Sequence, residues 1–415
     1  MSLLLKNIAS LLQIDNSNLL FRAGKSMMEI PKIDNAYLLI EDGIISDYGS
    51  MKELSNEIEG KASEVRDLKN NLVFPAFNDS HTHLVYAGSR EVEYIDKVKG
   101  LSYEEIAKRG GGILNSAKHL HHTSEEELYA QSVPKILEIM SQGTAAVEIK
   151  SGYGLNTDDE LKMLRVIKRI KESFPLIVKA TFLGAHSVPA EYKSRQSDYV
   201  DLIINEMIPV VASEDLAEYI DVFCDEGFFT MEETDRILNA GVKYGLRPKI
   251  HANELGYSGG IQTAVKYNAL SVDHLEFTGE EEINVLRNSE TMPTILPGAS
   301  LFLEMAYAPA RKMIDSGLPV ALATDFNPGS SPSGNMKLIM SLALIKLQML
   351  PEEILNAVTL NSAYAMGIND ITGTITRGKL ANIIITKPIP GLEYFPYSYG
   401  SDLISDVLIR GESVK

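Results

Sequence analysis

The chain has 415 residues, about two to three times the length of a common single domain, so a barrel-sized unit with an accessory unit is expected. Hydrophobic residues make up 45% and charged residues 23%, ordinary globular usage that excludes disorder, collagen-like repeats and a disulfide scaffold. With 39 basic against 56 acidic residues the net charge is −17, and no local basic groove stands out, so no nucleic-acid partner is expected. Cys224 is the single cysteine, which excludes an intramolecular disulfide and a cysteine-built zinc or iron–sulfur cluster and points to a reducing, cytoplasmic compartment. The first twenty or so residues are broken by Lys6, Asp15 and several asparagines and lack the pattern of an export signal, so neither export nor membrane insertion is expected.

In chain order, residues 1 to about 70 read as short strands with turns. Asp42-Gly43 between apolar runs at 36–40 and 44–48 is a hairpin signal. From Leu72 onward, apolar β-branched runs alternate with longer amphipathic stretches. Candidate strands fall at 71–77, 145–150, 177–183, 220–224, 249–252, 271–275, 293–296 and 320–323. Helical stretches at 125–142, 158–173, 230–244 and 352–366 lie between or after them, several opening with a Ser, Thr or Asp cap followed by Glu. Short strand-like runs return at 373–375, 381–386 and 406–409. The expected fold class is therefore α/β: a (β/α)8 TIM-type barrel over 71–370, with a small β-sandwich domain built from both chain ends, 1–70 with 371–415.

Nearly every unusual polar residue follows a candidate strand, on the face where barrels build their sites. His81 and His83 follow the first strand, Lys150, Ser151 and Tyr153 the second, and His186 the third. Asp225 and Glu226 follow the fourth, His251 and Glu254 the fifth, His274 the sixth, and Asp325 and Asn327 the eighth. His119, His121 and His122 instead cluster in one surface-like stretch. In His81-Thr82-His83 the imidazoles are at i and i+2, so an extended strand end points both to one side. With His251 and Asp325 they make three imidazoles and one carboxylate, a donor set that suits Zn²⁺ or Fe²⁺ rather than Mg²⁺ or Ca²⁺. Such an ion acidifies a water molecule, which is hydrolytic machinery. Glu254 and His274 are the spare titratable groups, either of which could handle a proton or polarise a carbonyl.

Two stretches, 253–260 and 325–331, are rich in Gly and small polar residues, whose backbone N–H groups could approach a ligand. Arg90 could pair with a substrate carboxylate, and Tyr153, flanked by glycines, favours ligand contact over core packing. Gly110-Gly111-Gly112 reads as a mobile cover or a tight bend.

The stretch from Pro75 to His83, with His251, His274 and Asp325 at later strand ends, resembles the amidohydrolase superfamily of metal-dependent barrels. Within it the chain is similar to the imidazolonepropionase family, through residues 81–91, 148–155, 181–186, 221–227 and 323–331. That resemblance implies one Zn or Fe ion per subunit on His81, His83, His251 and Asp325, and substrate contacts from Arg90, Tyr153, His186 and Glu254. Asn327, Gly329 and Ser330 would complete the site, with Glu254, His274 and Asp325 catalytic. It further implies hydrolysis of imidazolone propionate in histidine degradation, and a homodimer. Ala76, Asn78 and Ser80 depart from the family pattern without removing a ligand. Lys150 does not stand where binuclear relatives carry a metal-bridging lysine, so a single ion is expected. The competing readings are a deaminase of a heterocyclic base, for which the Arg90 clamp makes little sense, and a non-catalytic barrel, which would usually lack the ligands.

Overall fold

A computed structural model describes residues 2–101 and 111–415. Two sheets organise the molecule. The barrel runs through Phe77–Asp79, Thr144–Lys150, Ile177–Ala185, Tyr219–Cys224, Ile250–Ala252, Ser271–His274, Met292–Ile295 and Ala321–Leu322, each parallel to the next. Arg247–Pro248 also pairs with the fourth of these, so the fifth strand is interrupted at Lys249. A parallel bridge between Thr82 and Phe326 joins the first strand's extension to the eighth's and closes the ring. Helices Glu125–Ser141 and Met231–Lys243 begin at Ser124 and Thr230, each in a reciprocal capping box with the Glu three residues on. The expected helix at 352–366 is two, Pro351–Val358 and Leu360–Ala365, broken at Thr359, whose carbonyl accepts a 2.7 Å hydrogen bond from Asn78 Nδ2.

The second sheet is mixed and gathers both chain ends. Its order is Glu412–Ser413, Ile404–Ile409, Ile383–Thr386, Leu72–Pro75, Ser2–Leu12, Lys32–Glu41, Ile44–Ser50, with Glu64–Asp67 also beside Ser2–Leu12. Asp42 and Gly43 take φ of 49° and 79°, the left-handed pair of a type I′ hairpin. Leu5, Ile8, Leu38, Ile40, Val73, Ile383 and Leu408 pack together in one apolar cluster on it. The expected run at 373–375 makes only a bridge, from Ile375 to Ile14.

The expected first barrel strand, 71–77, is shared between the sheets. Ala76 N–H donates to Asn382 O on the chain-end sheet, and Phe77 N–H donates to Gly143 O on the barrel, both at 2.9 Å. No helix among the described residues is long and apolar enough to cross a membrane.

Candidate active site

Closure of the ring brings the site together. Asp325 N–H donates to His81 O at 3.0 Å and His83 N–H to Phe326 O at 2.9 Å, so Asp325 lies beside both histidines. The alternation of the extended backbone turns both rings inward. His81 Nε2 and His83 Nε2 lie 3.6 and 3.7 Å from the same oxygen, Asp325 Oδ1. His251, on the fifth strand, brings its Nε2 to 3.4 Å from His83 Nε2. Asp325 takes φ of 54° and His274 φ of 84°, left-handed conformations that cost about 1–3 kcal/mol each for side chains of this kind.

The remote ring nitrogens are held by carboxylates. His81 Nδ1 lies 2.7 Å from Asp273 Oδ2, and His251 Nδ1 lies 2.8 Å from Asp221 Oδ2. A carboxylate can only accept, so the hydrogen-bonded His81 Nδ1 carries the proton and its Nε2 keeps its lone pair. Burial depresses the pKa of His81 and His83 well below the usual value, so both rings stay neutral. His81 Nε2 is a buried polar atom with no hydrogen-bond partner. Donors sharing one ion at Zn–N distances of about 2.1 Å stand roughly 3.4 Å apart, close to the separations of the His81 and His83 Nε2 atoms from Asp325 and of His251 Nε2 from His83. The donor chemistry of His81, His83, His251 and Asp325 therefore fits a divalent ion. His274 also has a ring nitrogen within ligand reach of His81 and His251.

His274 Nδ1 lies 3.6 Å from Glu254 Oε2 and 3.8 Å from Glu276 Oε2. Burial opposes a charge on His274, but Glu254 and Glu276 outweigh it and raise its pKa. Burial also raises the Glu254 carboxyl, with His274 opposing. Glu254 and His274 thus form a buried pair of interacting titratable groups, and Asp325 acts on both. Asp225 positions the pair from behind, accepting from Glu254 N at 2.7 Å and Leu255 N at 3.0 Å.

These groups open on a cavity of about 850 Å³ that Arg90, Tyr153, His186, Asn327, Gly329 and Ser330 also line. Every residue expected to bind substrate thus reaches one space. Arg90 is oriented by Glu93, which accepts from its Nε at 2.9 Å and approaches its Nη2 at 2.8 Å. A Cβ on Gly329 would stand 2.0 Å from Arg90 Nη1, so glycine there makes room for the guanidinium. His186 Nδ1 donates to Gly152 O at 2.9 Å, which leaves its Nε2 as an acceptor, and burial pushes its pKa down to about 3. The Tyr153 phenol is pushed well up by burial and stays protonated. In the 325–331 stretch, the Gly329 and Ser330 N–H groups both donate to Asn327 Oδ1 at 2.8 Å. They shape the loop instead of being offered to a ligand. Ser330 Oγ in turn donates to Asp325 Oδ2 at 3.1 Å.

Lys150 is fully buried and ion-paired with Glu148 at 2.6 Å and Asp221 at 2.8 Å. Of the triple glycine, Gly111 and Gly112 line the cavity and Gly110 lies outside the described residues. His119, His121 and His122 sit on helix Ile113–His122, away from the cavity, with His121 Nδ1 at 2.8 Å from Asp159. Sequence reasoning missed Asp221, Asp273, Glu276 and Glu93. The signal for the first two was an acid inside a wholly buried strand, in the largely apolar Tyr219–Cys224 and in Ser271–His274.

Residues 72–414 match the model of the amidohydrolase family. The chain is 54% identical to the imidazolonepropionase of Flavobacterium johnsoniae, over 99% of each chain. It is 53% identical to that of Christiangramia forsetii over 100% of each. Among solved structures, it superposes with a TM-score of 0.72 on an atrazine chlorohydrolase of Arthrobacter aurescens complexed with zinc, at 16% identity over 99% of this chain and 94% of that one. The last likeness speaks to the fold alone. The chain belongs to the amidohydrolase family and, within it, to the imidazolonepropionases.

Proposed function

We propose that this enzyme hydrolyses 4-imidazolone-5-propanoate to N-formimidoyl-L-glutamate in histidine degradation, using one Zn²⁺ or Fe²⁺ ion held by His81, His83, His251 and Asp325. The observation that carries this reading is the clustering of those four donors at a cavity that His83, His251 and Asp325 line together with Arg90, a cation suited to a propionate. A bound ion supplies Lewis acidity that lowers the pKa of a water molecule toward neutrality. Arg90 takes the propionate, and its fork is already aimed by Glu93. Tyr153, as a donor, and His186, through its Nε2 acceptor, orient the ring. Water oxygen then adds to the ring carbonyl carbon, the bond from that carbon to the ring nitrogen breaks, and the carbonyl becomes a carboxylate. Glu254 receives one proton from the water and His274 gives one to the departing nitrogen; Glu254 then returns its proton to His274, and the second water proton leaves to solvent as the new carboxylic acid ionises.

By resemblance to its relatives we further propose a homodimer, with the site lying within the barrel residues 71–370 of each subunit. The reducing compartment that suits the buried Cys224 supports a cytoplasmic location. The test is the decay of the ultraviolet absorbance of freshly made substrate, corrected for spontaneous decay. Metal-dependent decay giving formimidoylglutamate is expected, with metal analysis reading which ion is native. No rate above background in folded, metal-replete protein would overturn the reading and direct attention to ammonia release from heterocyclic amines.

A further inference from the structure

Beneath the four donors lies a connected chain of five charged side chains, all of them fully buried or nearly so: Glu148, Lys150, Asp221, Lys249 and Asp273. They come from the second, fourth, fifth and sixth strands. Lys249 Nζ donates to Glu148 Oε2 and, at 3.0 Å, to Ser80 O. Glu148 Oε1 accepts from Lys150 Nζ at 2.6 Å and from Thr181 Oγ1 at 2.6 Å. Lys150 Nζ reaches Asp221 Oδ2 at 2.8 Å and lies 3.6 Å from Asp273 Oδ2. Those two oxygens also hold His251 and His81 by their Nδ1 atoms. Asp221 Oδ1 accepts from Val222 N at 2.7 Å and His251 N at 3.0 Å, and Asp273 Oδ1 accepts from Ser271 Oγ at 2.5 Å.

Burying so many charges is costly, and apolar side chains of similar volume could fill the same barrel layer more cheaply. The connectivity shows what the charges achieve. The carboxylates that aim two imidazoles come from different strands, and one ammonium touches both. Without it, Asp221 and Asp273 would be like charges facing each other in a region of low polarisability, each free to rotate away.

We propose that Lys150 is a positioning residue for the metal centre: by bridging Asp221 and Asp273 it keeps His251 and His81 turned toward one point, with Glu148 and Lys249 fixing the ammonium from below. This rests on the metal reading above. Lys150 touches neither substrate nor ion in this account and acts only through the two carboxylates.

The test is Zn²⁺ affinity of the metal-free full-length protein, by competition with a chromogenic chelator, alongside the thermal midpoint of the metal-free protein. Wild type, Lys150→Gln, Asp273→Asn and the double variant are compared. Lys150→Gln is expected to weaken Zn²⁺ binding by about tenfold or more, the range typical of groups that orient ligands. Because it frees both arms, adding Asp273→Asn to it should cost less than a further threefold. Adding Lys150→Gln to Asp273→Asn should cost threefold or more, through the Asp221 arm. The double variant removes one charge of each sign, and it carries the test if Lys150→Gln alone does not fold. Wild-type affinity in folded Lys150→Gln, or a double variant equal to Asp273→Asn, would overturn the inference and leave Lys150 a structural ion. Wild-type protein that binds no Zn²⁺ would overturn the metal reading itself.

Discussion

Where Leu5, Leu38, Val73 and Ile383 lie side by side on the chain-end sheet, the matching middle of the barrel buries Glu148, Lys150, Asp221, Lys249 and Asp273. Both layers are closed to solvent, yet they do different work. Apolar burial of the first kind contributes about 25 cal/mol per Å² removed from water and needs no directed partner. Buried ions contribute little net stability and depend on fixed partners, so their presence marks the place where orientation matters more than cohesion. The barrel keeps its own apolar packing on the outward side of the same strands, with Ala145, Val147 and Ile149 on the face of the second strand opposite to Glu148 and Lys150.

That contrast can be broken from either side. The largest effect is expected from Asp325→Ala, which removes the oxygen shared by His81 and His83: turnover should vanish and metal content fall while circular dichroism stays native. On the other sheet, Ile383→Ala should lower unfolding free energy by about 2–5 kcal/mol, read by denaturant titration, with kcat/KM of the remaining folded enzyme unchanged. A drop in kcat/KM there would mean that the two sheets are coupled. Arg90→Met should raise KM and cut kcat/KM by roughly ten- to a hundredfold, the worth of one charge-assisted hydrogen bond of about 1.5–3 kcal/mol. Gly329→Ala should raise KM by less than Arg90→Met does, because the guanidinium can shift away from the added methyl.

The smallest effect belongs to the surface of the chain-end sheet. Burial raises the Asp402 carboxyl, but Lys415 and Lys387 outweigh it and hold its pKa at about 2. A carboxyl whose folded pKa is depressed contributes stability that is present above its unfolded value and lost as pH falls through the folded one. Asp402→Asn should therefore cost under about 1 kcal/mol at pH 7, since the pair is largely solvated, and the gap from wild type should narrow below about pH 4. A gap that stays constant with pH would show that the ammonium pairing contributes nothing.

Much of the architecture was legible because it depends on local pattern. Strand after strand from 144 to 322 falls where β-branched runs predict it, and the Asp42-Gly43 hairpin forms with the backbone that dipeptide favours. The hand-over at Ala76 and Phe77 was not legible. An apolar run carries no sign of which partner its N–H groups will find, and only the nearness of Asn382 and Gly143 assigns one residue to each sheet. Arg90 was recognisable as a cation near the site, but its aim depends on Glu93 and on the space beside Gly329.

By itself the sequence determined the repeat of strand and helix, the residues at the strand ends, and the same-side projection of His81 and His83. These follow from the two-residue period of an extended chain and from local caps and turns. Tertiary structure alone decided which nitrogen of each histidine faces the centre, because that is set by Asp221 and Asp273 reaching across from other strands. It also decided that Lys150 lies between those two carboxylates, a contact that exists only once the sheet has closed on itself.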